Sequence, residues 1–308
     1  MGKYDVAMYE YMEDEERFAD LVNVVLYDGN QVVLPRMLKP AGERIGKRYR
    51  DLKKQLKNGD WLALVAVENQ ESIDYSMPFR MMEYDCLEYR RQLQQIKRKR
   101  RRDIEATGDK VDEWSLRLRK EDKLNPIHSI CLYHGMDEWN GPKSLKDMMN
   151  FEGALPGWEE TFHNYGMTIL CVNELDDFSK FRTELRQFLE VIPCRGDKKK
   201  LRELFAREEY KHLDRETAEV IAVFTDNKKM LEVLEEEEKE EYDMCKALDD
   251  LIADGREEGR TEGKAEGKAE TLLEAIHNLM SSMSWTAEQA MAALLVPLEE
   301  RGDYLAKL

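Results

Sequence analysis

The sequence has little that would place the chain in an oxidising compartment, at a zinc ion or in a membrane. Its five cysteines lie far apart and form no C-x-x-C pair, so we expect reduced thiols rather than a disulfide framework or a zinc site. The longest uninterrupted apolar run, residues 61–67, is far too short to span a membrane. The first residues, MGKYDVAMYEYMEDEE, are acidic and contain no apolar signal core. These absences predict a soluble protein of the cytoplasm with no membrane partner.

An excess of positive charge is also lacking. The formal net charge is −16, which argues against a protein that coats nucleic acid through its overall charge. The local exception is RRQLQQIKRKRRR, residues 90–102, where eight of thirteen residues are basic. Cations placed on phosphates release counterions, so this run predicts contact with DNA; a solvated helix end, where cations suit the helix dipole, is the alternative. The predicted contact residues are Arg90, Arg91, Lys97, Arg98, Lys99, Arg100, Arg101 and Arg102.

The first part of the chain alternates between helical and extended patterns. Apolar residues at helical spacing predict one helix over 5–27 and a longer one over 77–102. Asn58-Gly59 lies between two candidate strands and predicts a hairpin, because both residues tolerate positive φ. Two further buried strands are predicted at 126–135 and 165–172, which gives an α/β layer arrangement. The predicted apolar face of the longer helix carries Met82, Cys86, Tyr89, Leu93 and Ile96.

The pattern after residue 175 is helical. We predict a helix over 176–192, two or three more to about residue 253, and short packed helices at the end, where Thr286 and Gln289 have capping-box spacing. Residues 255–270, GREEGRTEGKAEGKAE, repeat glycine every fourth residue. This stripe predicts either self-association into a homo-oligomer or a marginal solvated helix, since each Gly costs about 1 kcal/mol relative to Ala. The predicted domains are 1–175, 176–253 and 254–308.

Polar side chains follow the apolar run of the second hairpin strand. With Asn58-Gly59 as a two-residue turn, Asp51 faces Ala66, and Glu68 lies on the same face because side chains alternate along a strand. Asp51 and Glu68 are then diagonal neighbours, about 7–8 Å apart at Cα. Two carboxylates this close repel each other unless a cation lies between them, and oxygen ligands favour Mg²⁺ together with phosphate. The hairpin therefore predicts a divalent metal site, with Gln70 further along the same face.

These residues also resemble a known family. A hairpin with Asp on one strand and Glu-x-Lys on the next, flanked by helices, is the core of the PD-(D/E)xK nucleases, and Asp51 with Glu68-Asn69-Gln70 matches the variant in which Gln replaces Lys. More narrowly, the chain resembles the Rpn family of recombination-promoting nucleases, in its YhgA-like transposase branch. The matching segments are RFADLVNVVL (17–26), YRDLKK (49–54), VENQESIDYSMPFRMMEYDCLEY (67–89), PIHSICLYHGMDEWNG (126–141) and the Gly-Glu repeat.

The resemblance implies Mg²⁺- or Mn²⁺-dependent cleavage of DNA in bacterial recombination, mobile-element or defence biology. It implies a restriction-endonuclease-like core, a mixed sheet flanked by helices, followed by an all-helical C-terminal region. Asp51, Glu68 and the carbonyl of Asn69 would hold the metal, and Gln70 would orient the attacking water or the phosphate. Arg80 would supply the positive charge that Gln70 lacks. Glu16, or alternatively Asp20, would be a further acid on the first helix.

A second class of function stays open beside the nuclease. With Gln70 in place of lysine, the chain could be a catalytically weak relative of the nuclease fold that serves as a DNA-binding or protein-interaction module. The two classes differ in their need for a metal, because a nuclease must bind Mg²⁺ or Mn²⁺ and a scaffold need not. The sequence does not separate cleavage of DNA from cleavage of RNA.

Overall fold

The computed structural model of the chain describes residues 3–41, 52–236, 241–298, 301–305 and 308. It divides the chain into two compact units, Met1–Cys245 and Lys246–Leu308. The division into three domains at residues 175 and 253 stays a prediction. In the described residues no helix is both long and apolar enough to cross a membrane.

The first unit contains five strands and most of the helices. The strands are β1 (Leu38–Pro40), β2 (Leu52–Asn58), β3 (Trp61–Gln70), β4 (Ile127–Tyr133) and β5 (Thr168–Cys171). The α-helices are α1 (Lys3–Tyr11), α2 (Glu15–Tyr27), α3 (Met77–Thr107), α4 (Leu185–Val191), α5 (Lys198–Phe205), α6 (Arg215–Phe224), α7 (Lys228–Glu236), α8 (Met244–Met283), α9 (Ala287–Ala293) and α10 (Arg301–Leu305). Short 3-10 turns lie at Pro35–Met37, Lys146–Met148, Val172–Glu174, Ile192–Cys194 and Glu208–Tyr210.

The strands form one mixed sheet in the order β1-β2-β3-β4-β5. The pairs β1–β2 and β2–β3 are antiparallel, whereas β3–β4 and β4–β5 are parallel. Strand β3 is therefore central, and seven consecutive residues of it are buried. A mixed sheet with helices on both faces confirms the predicted α/β class, and the described residues after β5 that form regular elements are helical.

The hairpin forms as predicted, but its register differs. Asn58 pairs with Trp61, so the turn residues are Gly59 and Asp60 rather than Asn58 and Gly59. Gly59 has φ of +60°, a conformation that glycine adopts without steric cost. This conformation fits Gly59 as the first of the two turn residues. Because the register shifts by an even number of residues, each strand keeps the same side chains on each face. The predicted pairing of Asp51 with Ala66 is wrong, since Lys53 is the partner of Ala66.

The predicted helix over 5–27 is two helices. Helix α1 ends at Tyr11, and α2 starts at Glu15 after the helix cap residue Asp14. The Asp14 carboxylate accepts hydrogen bonds from the backbone N–H groups of Glu16 and Arg17, both at 2.9 Å, and so satisfies two donors that a helix start leaves unpaired. A side chain that can cap a new helix favours a break in the pattern at this point.

The long helix α3 is confirmed, although it buries a face next to the predicted one. It continues to Thr107 and ends at Gly108, which has φ of +80°. Cys86, on the predicted apolar face, is exposed, whereas Asp85, Glu88 and Gln92 are buried. These polar groups are buried because they bind partners on the sheet and on the segment before β4. The ordinary pattern of buried apolar residues therefore misplaces the contact face.

The opposite face of the sheet is covered by α1, α2 and helices from the second half of the unit. The ring of Phe188 in α4 lies 5.2 Å from Tyr11 and 4.9 Å from Phe224 of α6, edge to face in both cases. The Tyr11 hydroxyl shares a hydrogen bond of 3.0 Å with Thr217. The helix predicted over 176–192 begins only at Leu185, because the backbone at Arg182 and Thr183 instead donates to the buried carboxylate of Asp20.

The second unit has its own small core. Ile276, Ala290, Met291 and Val296 are buried together, with partly buried neighbours from α8, α9 and α10. The predicted capping box is confirmed, since Thr286 and Gln289 each bind the other's backbone at the start of α9. The glycine repeat lies within α8, and a Cβ at Gly263 or Gly267 would meet no described atom within 4 Å.

Candidate functional site

Glu68 stands close to the end of the central strand with its carboxylate buried. Only 4% of the residue is exposed. It shares a face with Ala66 and with its neighbour on β4, Cys131, and this face is covered by α3. Asn69 is also buried, but its side chain points to the other face because side chains alternate along the strand. Strand alternation therefore separates the carboxylate of Glu68 from the side chain of Asn69.

Arg80 joins Glu68 to a second carboxylate. Its guanidinium donates to Glu68 Oε1, and Nη1 lies 2.7 Å from Asp74 Oδ2. Burial of the guanidinium lowers the pKa of Arg80, but the hydrogen bond to Asp74 and the charge of Glu68 outweigh it, and the pKa lies above its ordinary value. Burial raises the pKa of Asp74, yet hydrogen bonds from Ser76 and Arg80 hold that pKa below its usual range. The site therefore holds two carboxylates around one cation.

Gln70 ends strand β3 at the edge where three parallel strands finish together. It pairs with Tyr133 of β4, which in turn pairs with Cys171 of β5. The Gln70 amide donates a hydrogen bond of 2.6 Å to the carbonyl of Ser72 and stays half-buried. Ligands commonly bind outside the carboxyl ends of parallel strands. Glu68, Gln70 and Arg80, which the sequence assigned to one site, thus lie at one edge of the sheet.

The predicted acids of the first helical region lie elsewhere. Helix α2 packs on the sheet face that carries Lys54, whose Nζ lies 3.5 Å from Glu15 and 5.2 Å from the ring centre of Phe18. Lys54 pairs with Val65, so its face is opposite to that of Glu68. Glu16 is exposed on α2, and the structure does not bring it to Glu68. Asp51 lies outside the described residues, and its part in the site stays a prediction.

Asp20, the alternative acid, has a structural contact. Its Oδ2 accepts hydrogen bonds of 2.8 Å from the backbone N–H groups of Arg182 and Thr183 and from the Thr183 hydroxyl. Three donors on one oxygen fix the segment before α4 against α2. This carboxylate therefore anchors a loop on the face away from Glu68.

The oxygen donors at the strand edge fit a hard divalent cation. Glu68 and Asp74 are carboxylates already arranged around a positive group, and Mg²⁺ prefers one or two carboxylates together with waters and phosphate oxygens. Within the part of the chain that the structure describes, no group of three His, Cys, Asp or Glu residues could hold a metal by itself. A metal here would take Glu68 as a ligand and complete its coordination with backbone, water, substrate or residues such as Asp51.

The basic run lies on α3, and its eight cations are not equivalent. Arg91 lies 2.7 Å from Glu88, and Arg100 lies 2.5 Å from Asp122 and donates to the carbonyl of Arg117. These two arginines are therefore held by the protein itself. The exposed members, which are open to a phosphate backbone, are Arg90, Lys97, Arg98, Lys99, Arg101 and Arg102.

Asp74 was not predicted from the sequence as part of this site. Its Oδ1 accepts from the backbone N–H of Ser76 at 2.8 Å and from the Ser76 hydroxyl at 2.6 Å, immediately before α3 begins. An Asp-x-Ser turn before Pro78 is a recognisable helix-start signal. It marks Asp74 as a turn residue, but its second oxygen reaches Arg80 only because the first turn of α3 places Arg80 there.

The fold and site define a mixed-sheet α/β protein with a carboxylate and an arginine at the carboxyl edge of its parallel strands. The chain belongs to the family described as "Putative transposase, YhgA-like", which matches residues 49–219 and so includes Glu68, Arg80 and the basic run. This match confirms the family resemblance of the sequence. No curated protein and no solved structure matches the chain.

Proposed function

We propose that the protein is a Mg²⁺- or Mn²⁺-dependent DNA endonuclease built on a PD-(D/E)xK core. The observation that carries the proposal is the buried Glu68 carboxylate at the carboxyl edge of the parallel strands, in contact with Arg80. The family match supports DNA as the partner, because transposases act on DNA. The exposed cations of α3 supply a surface for its phosphates.

Each residue of the site has a distinct task in this proposal. Glu68 and Asp51 would hold the metal through carboxylate oxygens, and the carbonyl of Asn69 would add a third oxygen. When bound, the metal lowers the pKa of a coordinated water and neutralises charge on the phosphate. Gln70 orients the water or the phosphate through its amide. The hydrogen bond of Gln70 to Ser72 holds the amide at the strand edge before substrate binds.

In this proposal Arg80 contacts the carboxylates of Glu68 and Asp74 before the metal and substrate bind, and a phosphate oxygen afterwards. In the metal-free protein it neutralises Glu68 and Asp74. With Glu68 engaged as a metal ligand, the Arg80 guanidinium would be available to a phosphate oxygen, where a cation stabilises the charge that develops during cleavage. Asp74 would keep the guanidinium near the strand edge during this exchange. The arginine thus takes over the charge that lysine provides in the common motif.

The test is a nicking assay on supercoiled plasmid with Mg²⁺ or Mn²⁺. We expect the wild type to nick the plasmid. Asp51→Ala, Glu68→Ala and addition of EDTA should each lower the rate of nicking by about a hundredfold or more, since each removes a metal ligand or the metal. Glu105→Ala, which removes an exposed carboxylate at the far end of α3, is the matched control and should cleave normally. Cleavage that survives both site substitutions would place the chemistry elsewhere.

A DNA-binding or protein-interaction module is the second candidate. It is favoured by one observation, namely that Arg80 already compensates both carboxylates without a metal. In this case a folded wild-type preparation binds DNA in EDTA and nicks no plasmid in Mg²⁺ or Mn²⁺. The same assay therefore separates the two candidates.

A further inference from the structure

A cavity of about 710 Å³ lies beside the site and takes no part in the proposed chemistry. Its walls come from the segment after β4 and from one residue of the turn before α3. The residues that line it include Tyr75, Trp139, Asn140, Gly141 and Lys143. The cavity is shallow and largely open to solvent, and its volume is large enough for a nucleotide.

The cavity adjoins the Glu68 site through the turn that follows β3. Tyr75 lines the cavity and follows Asp74, the carboxylate that holds Arg80. On the other wall, a Cβ at Gly141 would come within 3.1 Å of Ile73 Cγ2, so the two segments touch. A strand with a phosphate at Arg80 could therefore place a neighbouring base in the cavity.

Tyr75 offers an aromatic face to this space. The side chain is 62% exposed although it is large and apolar, and its hydroxyl is fixed at 2.9 Å from Asn140 Oδ1. An exposed ring that is held in place is a suitable stacking platform, because it loses little freedom when a base stacks on it.

Trp139 gives the cavity a packed apolar wall. Its indole packs edge to face on Tyr133 at 5.0 Å, and the backbone at Gly141 lies close against the ring. A Cβ at Gly141 would come within 3.0 Å of Cζ2 and 3.1 Å of Cε2, so the close approach of this loop to the indole depends on glycine.

Lys143 places a positive charge at the rim of the same cavity. The residue is exposed, and its backbone N–H is held by the Asp147 carboxylate at 3.0 Å. A fixed loop with a cation beside an exposed aromatic ring matches two parts of a nucleotide, its phosphate and its flat base. We infer that this cavity binds an unpaired base of the DNA strand whose phosphate lies at Arg80. The inference rests on the proposed function for its placement relative to the cut.

The test measures binding without cleavage, by fluorescence anisotropy of a labelled single-stranded oligothymidylate in EDTA at fixed salt. Tyr75→Ala should raise Kd about tenfold, because one stacked base is lost, whereas Tyr75→Phe keeps the ring and should stay within about twofold. Trp61→Ala removes a half-exposed aromatic ring at the other end of β3 and should bind like the wild type. The Kd of Tyr75→Ala for the same oligothymidylate paired with its complementary strand should differ little from that of the wild type, because paired bases stay stacked in the duplex.

Salt dependence separates the ring from the cation. Lys143→Ala should lower the slope of log Kd against log salt by about 0.7, whereas Tyr75→Ala should leave the slope unchanged. Unaltered oligothymidylate binding by Tyr75→Ala, or equal loss on single strand and duplex, would overturn the inference. A wild type that binds the oligonucleotide through Tyr75 but nicks no plasmid would refute the nuclease and leave the base-binding cavity standing.

Discussion

At the scale of single residues, His134, which directly follows β4, is a fully buried titratable group. It is 0% exposed, its ring lies 5.4 Å from Phe224, and neither ring nitrogen hydrogen-bonds within the described part of the chain. Burial, with a smaller contribution from the charge of Arg195, lowers its pKa to about 4. The neutral imidazole is therefore the form that the fold accepts.

This burial predicts acid sensitivity. Because the folded pKa is below the unfolded value, the unfolded chain binds the proton more tightly, so stability is full above about pH 6.5 and falls as the pH drops towards 4. The loss from this group should reach roughly 3 kcal/mol at pH 4. Urea unfolding of wild type and His134→Leu at pH 7, 5 and 4 measures it. The variant should lose less stability than wild type over this range; parallel curves would contradict the assignment.

At the scale of elements, α3 carries two kinds of basic residue, and adjacent positions differ. The Arg100 side chain is only 12% exposed and holds the loop at Arg117 and Asp122 against the helix, whereas Arg101 is exposed. Arg100→Ala should therefore lower the free energy of unfolding by about 1–3 kcal/mol, and Arg101→Ala by less than about 0.5 kcal/mol. Chemical denaturation of both variants, which lose the same charge, gives the comparison. Equal stabilities would mean that the Asp122 contact contributes nothing.

The exposed cations of the same helix should act on DNA instead. Changing Lys97, Arg98, Arg101 and Arg102 together to Gln should leave stability nearly unchanged and lower the slope of log Kd against log salt for duplex DNA by about 3, if most of them contact phosphates. Anisotropy at several salt concentrations measures the slope. An unchanged slope would show that the run is only a solvated helix end.

The elements also show what the sequence could predict and what it could not. Strands β3, β4 and β5 were predictable because buried apolar runs are local signals, and so was the association of Glu68 and Gln70 with a strand end. The hairpin register was not, since both Asn58-Gly59 and Gly59-Asp60 can form a tight turn. A shift of this kind depends on side-chain packing across the sheet rather than on the turn alone.

The buried face of α3 could not be predicted for a different reason. Asp85 is buried because its carboxylate accepts hydrogen bonds from the hydroxyls of Ser129 at 2.7 Å and Tyr165 at 2.5 Å. Glu88 is buried because its carboxylate pairs with the Lys53 ammonium at 2.8 Å. These partners are up to 80 residues distant in the chain, so no local pattern reveals them. The link from Asp74 through Arg80 to Glu68 was missed in the same way, since only the folded turn brings the three together.

At the scale of the whole molecule, the first compact unit includes helices on both sides of residue 175. The aromatic contacts of Tyr11 with Phe188 and the hydrogen bond to Thr217 join α1 to α4 and α6. A chain that ends at Cys245 should therefore unfold cooperatively, whereas one that ends at residue 175 exposes the apolar faces of α1 and α2 and should not. Thermal unfolding followed by circular dichroism compares them. A cooperative transition in the shorter chain would support the predicted domain boundary at 175.

The contact between Tyr11 and Thr217 spans 206 residues, and this distance has a consequence for biosynthesis. At a synthesis rate of about 5–20 residues per second, α1 leaves the ribosome roughly 10–40 s before α6 exists to cover it. During this interval α1 can already pack on β3, but Tyr11 still lacks Phe188 and Thr217, its partners in α4 and α6. The side of α1 that faces α4 and α6 therefore stays uncovered on the nascent chain until those helices are synthesised.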